Sequence, residues 1–289
     1  MSPARKGSLV SILVERKKME LKKRGKAFKR KVLRKPRSFK GLERTYFTKI
    51  KPIVASAKSV VDRILIPKID LFIRQREAIR PKSDKKDSWV DDISSAMGQV
   101  RVEFERLVPV NTVINLASGQ ASTINRANSQ DFDKSFQSVM GLIPIKLEPW
   151  LKEEMKHFTK ENVKLIKSIP DNYFFQVETI VSRMIQQGKM TDDITEEIYK
   201  RYDVSLSRAA LIARDQTNKF NGSLTQLRQQ EVGITQYQWS TSDDERVRPE
   251  HAEREGKDFY WNDPPEDGAP GQAINCRCVA LGIIEGVEE

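Results

Sequence analysis

The period of the hydrophobic pattern changes once along the chain, at Gly233, and this limits the fold more than any other feature. Between residues 42 and 233 apolar side chains recur at three- and four-residue spacing, the helical period. Ile50, Ile53, Val54, Ala57, Val60, Val61, Ile64 and Leu65 fall on one helical face, with Pro52 expected in a first turn and Pro67 at a break. A second helix is predicted over 89–107. Residues 108–120 read as a loop or short strand, 122–141 are polar and weakly periodic, and 144–149 read as a connection. A helix from Trp150 is expected to stop before Pro170, and Asp171 to cap another through 187, with Gly188 as its stop. Thr191 is expected to cap a short helix to 202 and Ser205 a longer one to about 231, the two forming an antiparallel or angled pair.

After Gly233 the pattern alternates. Ile234, Gln236 and Gln238 interleave with Thr235, Tyr237 and Trp239, which predicts a strand with Tyr237 and Trp239 on one face. A Ser/Thr/Asp-rich loop follows, and Pro249 opens a short helix carrying His251 and ended by Gly256. Residues 259–261 suggest a short strand, and 275–281 a closing one after a loop containing Pro264, Pro265, Gly268, Pro270 and Gly271. The expected class is α+β and predominantly α-helical, with long helices followed by a small C-terminal β-containing domain.

Charge divides the chain further. The first 40 residues hold 16 Lys or Arg against Glu15 and Glu20, whereas the whole chain of 289 residues carries only +11. Residues 241–289 hold 13 acids and five bases. Three segments are therefore expected: a flexible basic arm over 1–41, a helical region over 42–149 and a C-terminal domain over 150–289. Like-charge density disfavours burial, so most of the arm is expected to be mobile when free, with a helix around 12–28 on contact with a partner. Lys17, Lys18, Lys22, Lys23, Arg24, Lys29, Arg30, Lys31, Arg34 and Lys35 are the candidate DNA-binding residues. Such cations displace counterions from phosphates without reading bases. An acidic protein surface, a membrane surface, a transit peptide and a solubility tail are the competing readings. Apolar runs far short of about 18–20 residues argue against a spanning helix, and two cysteines cannot build a disulfide framework.

An ordered set of residues resembles a known family. Ser207-Arg208-Ala209 and Ile212-Ala213-Arg214-Asp215 lie on a helix, and a strand ending in Trp239 follows. Next comes Asp-x-Arg-x-Arg-x-x-His, matched by Asp244, Arg246, Arg248 and His251. Gly256, the Pro/Gly loop and Asn275-Cys276-Arg277-Cys278 close the set. Over about residues 150–284 the chain resembles the Mu F-like minor head proteins, the head-morphogenesis family of tailed bacteriophages. The resemblance implies a non-enzymatic virion component inside the head, present in the host cytoplasm during assembly. Its partners would be the portal or major capsid protein and double-stranded DNA bound without sequence specificity, with membrane contact during genome delivery a further option. Arg214, Trp239, Asp244, Arg246, His251, Asn275 and Arg277 would be the motif's structural residues. Two alternatives compete: a metal-assisted hydrolase or toxin-like injected effector, and an assembly factor absent from the mature particle.

Cys276 and Cys278 are two apart on an expected strand, so both thiols should share a face. With His251 they give three candidate zinc ligands, and Asp243 or Asp244 a weak fourth. Some relatives carry an additional Cys-x-x-Cys and a His, which looks like a complete zinc site. Here Arg248 and His251 stand where that pair would be, and no His precedes Cys276. The competing expectation is no cofactor and two small buried thiols. His251 is expected to hydrogen-bond the Asp243–Asp244 loop, and Arg214 or Arg277 to lock the Asp243–Glu245 loop against the helix.

Overall fold

The computed structural model describes residues 9–24, 29–36, 39–78 and 88–285. In chain order the elements are α1 (Leu9–Lys23), β1 (Lys31–Val32), α2 (Lys40–Ile64), a 3-10 turn (Ile66–Lys68) and α3 (Ile69–Ala78). Then follow α4 (Ser88–Leu107), α5 (Val110–Met140), α6 (Leu151–Gln186), α7 (Thr191–Glu231), β2 (Gln236–Ser240), α8 (Pro249–Ala252), β3 (Asp258–Tyr260) and β4 (Val279–Ile284). The expected class is observed: long helices precede a small antiparallel sheet. Among the described residues no helix is long and apolar enough to cross a membrane.

The helices are fewer and longer than the sequence suggests. Residues 108–120, expected as loop or strand, belong mostly to α5. The buried positions there, Val113, Ala117 and Gln120, keep the helical period, but two of the three are too small or polar to signal it. Pro170 does not end a helix, because α6 runs through it. Ile166, Ile169, Tyr173 and Phe174 are all buried around it, and burial at roughly 1.5–3 kcal/mol per large side chain offsets a proline cost of about 3 kcal/mol. Pro52 likewise lies inside α2 rather than in its first turn, whereas Pro67 does sit at a break, in the 3-10 turn. Ser205 starts no helix. Its Oγ donates to the Arg201 carbonyl at 2.9 Å, a bond made within a continuous helix, and α7 replaces the expected pair.

The chain forms two compact units. Neither is continuous in sequence, because α5, α6 and α7 each supply residues to both. The helical unit comprises Glu43–Gly119 and His157–Ala213. Its core is apolar: Ile50, Val54 and Val61 from α2, Phe72 from α3, Ile93 and Val100 from α4, and Val177 and Val181 from α6 are buried. Phe104 and Phe174 meet edge to face at 5.3 Å. The buried Tyr46 hydroxyl donates to Asn162 Oδ1 at 2.8 Å, and burial pushes the Tyr46 phenol well above its ordinary range.

The second unit comprises the described residues up to Leu42, Gln120–Lys156 and those from Arg214 onward. Its sheet has the order β1-β4-β2-β3, antiparallel throughout. One core cluster gathers Leu33, Phe132, Phe136, Met140, Val232, Ile234 and Ile284. A Cβ on Gly282 in β4 would lie 2.7 Å from Gln229 Oε1 and 3.1 Å from Leu33, so a larger residue there would displace Gln229 from its bonds. Gln229 is buried and bridges, donating to the Ala280 carbonyl and accepting from Trp261 Nε1.

This unit also holds a polar anchor that the sequence analysis missed. Arg228 on α7 is fully buried. Its Nε donates to Glu148 Oε1 at 2.7 Å, Nη2 to Asn125 Oδ1 at 2.5 Å and Nη1 to Asn128 Oδ1. Three residues on, Glu231 accepts from the backbone N–H groups of Leu147 and Glu148 and from Trp150 Nε1. One turn of α7 thereby fixes the 147–150 end of the connection.

The basic segment departs from the expectation that it buries little. Residues 31–32 pair with Ile284 and Ile283 of β4. Leu33 is buried, and Leu13 and Leu21 of α1 pack against the same cluster. These aliphatic residues, spaced among the lysines, supply apolar area that a reading by net charge overlooks. Residues 25–28 of the expected 12–28 helix lie outside the described residues.

Candidate functional site

The chemistry gathers behind β2. Alternation places Tyr237 and Trp239 on its buried face. Trp239 meets His251 edge-on at 5.1 Å, with the Arg254 guanidinium 5.0 Å from the indole. His251 is delivered by α8, where Pro249 opens the helix as expected. The loop that follows packs on α7. A Cβ on Gly222 would come within 2.9 Å of the Pro270 carbonyl oxygen, so only glycine admits that approach.

His251 is buried and held on both sides. Nε2–H donates to Asp267 Oδ2 at 2.7 Å, and Arg254 donates to Oδ1 of the same carboxylate at 2.6 Å. The expected partner, the Asp243–Asp244 loop, is not used. Asp267 lies in the Pro/Gly loop sixteen residues away, and no spacing rule links it to His251. Burial alone would raise the Asp267 carboxyl, but the bonds from His251 and Arg254 outweigh it and hold it below the ordinary range.

On the other ring edge, Nδ1 lies 3.5 Å from both Cys276 Sγ and Cys278 Sγ. Both cysteines are buried and free. They precede β4 rather than lie on it, yet they do share a side. The Cys278 thiol beside Cys276 pulls the Cys276 thiol down to about 6, against the opposing effect of burial. The same neighbour, with burial, raises Cys278. The pair therefore holds one proton between two sulfurs near neutral pH.

The donor atoms of His251, Cys276 and Cys278 lie within 4.8 Å of one another. Two thiols and an imidazole whose far nitrogen is tied to a carboxylate suit zinc, and they supply three of four tetrahedral ligands. No fourth His, Cys, Asp or Glu joins this group among the described residues. Asp243 and Asp244 do not complete it: Asp243 accepts from Lys35 and Thr241, and Asp244 faces Arg277 at 3.5 Å.

The turn before the thiols is set by α7. Asn275 has φ +60°, a left-handed conformation that Asn tolerates better than most residues. Arg214 Nε donates to its Oδ1 at 2.8 Å, and its own backbone N–H donates to Asp215 Oδ1 at 3.0 Å. The Arg214-Asp215 pair thus grips the start of Asn275-Cys276-Arg277-Cys278. Of the two arginines expected to lock the Asp243–Glu245 loop, Arg277 reaches Asp244 at 3.5 Å, while Arg214 goes to Asn275. Arg246 is exposed. A cavity of about 500 Å³ opens here, lined by Arg214, Asp244, Arg246, Arg248 and Arg277 with His251 and both thiols.

The basic residues divide into two groups. Lys17 and Arg24 pair with Glu20 at 3.0 and 3.4 Å. Arg30 pairs with Asp258 at 2.5 Å and Lys35 with Asp243 at 2.8 Å. Lys22, Lys23, Lys29, Lys31 and Arg34 are exposed, and the Lys18 side chain lies outside the described part.

Residues 175–281 match the family described as Phage Mu protein F like protein. A protein of Haemophilus influenzae (strain ATCC 51907 / DSM 11121 / KW20 / Rd), described as an uncharacterized protein, is 33% identical over 200 residues, covering 68% of this chain and 45% of that one. The chain thus spans less than half the length of that curated relative. No solved structure matches. The Arg214–Asn275 grip, His251 and both thiols all fall inside the residues over which the chain is similar to the phage Mu F-like family.

Proposed function

We propose that this chain is a non-enzymatic structural component of a phage head, docking at the portal or inner capsid and holding packaged DNA through its basic segment. The observation that carries this reading is the Mu F-like match over 175–281. The DNA role is supported by the five exposed cations Lys22, Lys23, Lys29, Lys31 and Arg34 beside a strand tied to the same unit. Cations already engaged by carboxylates contribute less, so the log–log salt slope of DNA affinity should be about −4 to −5, with little sequence preference. A slope near zero, or binding unchanged when these five are neutralised, would remove the DNA role. Mass spectrometry of purified DNA-filled particles tests the rest. The intact chain at low copy supports a virion component, and a C-terminal fragment alone points to processing of the basic segment. Absence would leave the assembly-factor reading.

The grouping of His251, Cys276 and Cys278 favours one second reading, a zinc ion at that centre. It predicts stoichiometric zinc in the purified chain, lost in Cys276→Ser. Turnover that disappears with His251→Ala would replace the structural reading by an enzymatic one.

A further inference from the structure

We propose that the arginine-lined cavity beside the thiol–histidine centre is a binding site for a terminal phosphate group. Residues 241–289 are strongly acidic, yet three of their five bases, Arg246, Arg248 and Arg277, line this one cavity, and Arg214 joins them from α7. Asp244 is the single carboxylate in the lining, and Arg277 engages it at 3.5 Å. The lining therefore carries a clear positive excess inside an acidic block. Such an excess is costly to assemble without an anion to face it.

The donors are also positioned in advance. Arg214 is anchored through Nε to Asn275 Oδ1, and Arg248 through Nη2 to the Ile274 carbonyl at 2.8 Å. A guanidinium carries five N–H donors, so each anchored fork keeps several for a ligand. Planar forks fixed at one edge suit the tetrahedral oxygens of a phosphate, which they bind in pairs. Arg246 is exposed at the mouth and has no side-chain ion pair among the described residues, so its charge is available to an incoming anion.

Size and surroundings narrow the ligand. The cavity of about 500 Å³ accepts a phosphate together with an attached sugar and base. Asp243, Glu245, Glu250 and Glu253 flank the arginine-bearing stretch in sequence and disfavour the continuous charge of duplex DNA. A compact phosphate monoester fits this field, with its charge of about −1.5 to −2 concentrated on one group. Two sources share this chemistry: a free nucleoside monophosphate and the 5′-phosphate at a DNA end. The inference is independent of DNA holding by the basic segment, which uses other residues.

The test uses the full chain at 150 mM salt. Inorganic phosphate and AMP are titrated by calorimetry, and a 5′-phosphorylated single-stranded oligonucleotide is compared with its hydroxyl-ended twin. The basic segment binds both twins alike, so a difference between them reports the cavity. Arg246→Glu should weaken phosphate-dependent binding at least tenfold without shifting Tm, and Arg246→Ala should weaken it less. Binding of AMP as tight as that of the phosphorylated oligonucleotide assigns the free ester, and preference for the oligonucleotide assigns the DNA end. No phosphate-dependent binding by any probe, or wild-type binding by Arg246→Glu with unchanged Tm, overturns the proposal.

Discussion

Each of the two units is stabilised internally by a different kind of contact. In the helical unit, apolar residues on α2, α4 and α6 are buried at helical spacing, with Tyr46–Asn162 a buried polar link. Around the sheet, long-range side-chain bonds fix irregular chain: Arg228 to Glu148, Glu231 to 147–150, Gln229 to Ala280, Arg214 to Asn275 and His251 to Asp267. The first kind of order is non-directional and tolerates exchange. The second depends on particular atoms, and removing one partner leaves the other buried without compensation.

The contrast is sharpest at Arg228. Truncation to Ala strands Glu148, Asn125 and Asn128, so a loss of about 3–5 kcal/mol is expected by chemical denaturation. The volume-conserving Ile166→Leu in the helical unit should cost less than about 1.5 kcal/mol. Comparable values would erase the distinction. Next in size is Asp267→Asn, which weakens the hold on both His251 and Arg254 and should cost about 1–2 kcal/mol at neutral pH. The Asp267 carboxyl is depressed in the fold, so its contribution is complete above about pH 4 and is lost as pH falls through the lower folded value. Wild type and Asp267→Asn should therefore converge in strong acid. A constant gap would assign the effect to packing.

A smaller and more local change is expected at the thiols. Ultraviolet thiolate absorbance should show one thiolate appearing with a midpoint near pH 6, while the second stays protonated through pH 9. Two thiolates titrating together near pH 8–9 would dissolve the coupling. The smallest effect belongs to the exposed Lys35–Asp243 pair. Lys35→Ala should change stability by no more than about 0.5 kcal/mol. A loss above about 1 kcal/mol would show that the basic segment is held by charge and not by Leu33.

What could be read from the sequence follows the same divide. Where large apolar residues marked the period and no proline or capping residue interrupted it, elements emerged close to their observed ends, as with α4, β2 and the stop at Gly188. The period was also present in α5, but in Ala117, Gln120 and Ala121, which carry too little hydrophobic signal to outweigh nearby Asn, Ser and Gly. Pro170 and Ser205 misled because local preference opposed a tertiary burial that no window of sequence contains. At the site, the meeting of His251 with Cys276 and Cys278 was legible from residue type. Asp267 and Arg228 were not, because partners sixteen and eighty residues away are set by how loops close and leave no periodic trace.

The pairing of β1 with β4 has a mechanical consequence. β1 is a two-residue strand at the sheet's outer edge, tied at Lys31 and Val32, with one further bond from Leu33 N–H to the Gly282 carbonyl. A pull on the preceding lysines would load these bonds first, then the buried Leu33 and the Arg34–Ser135 bond, as in peeling tape. β4, β2 and β3 remain joined by their own longer ladders. Once Leu33 leaves its cluster, the segment would come away and leave the thiol–histidine centre intact, acting as a breakaway tether.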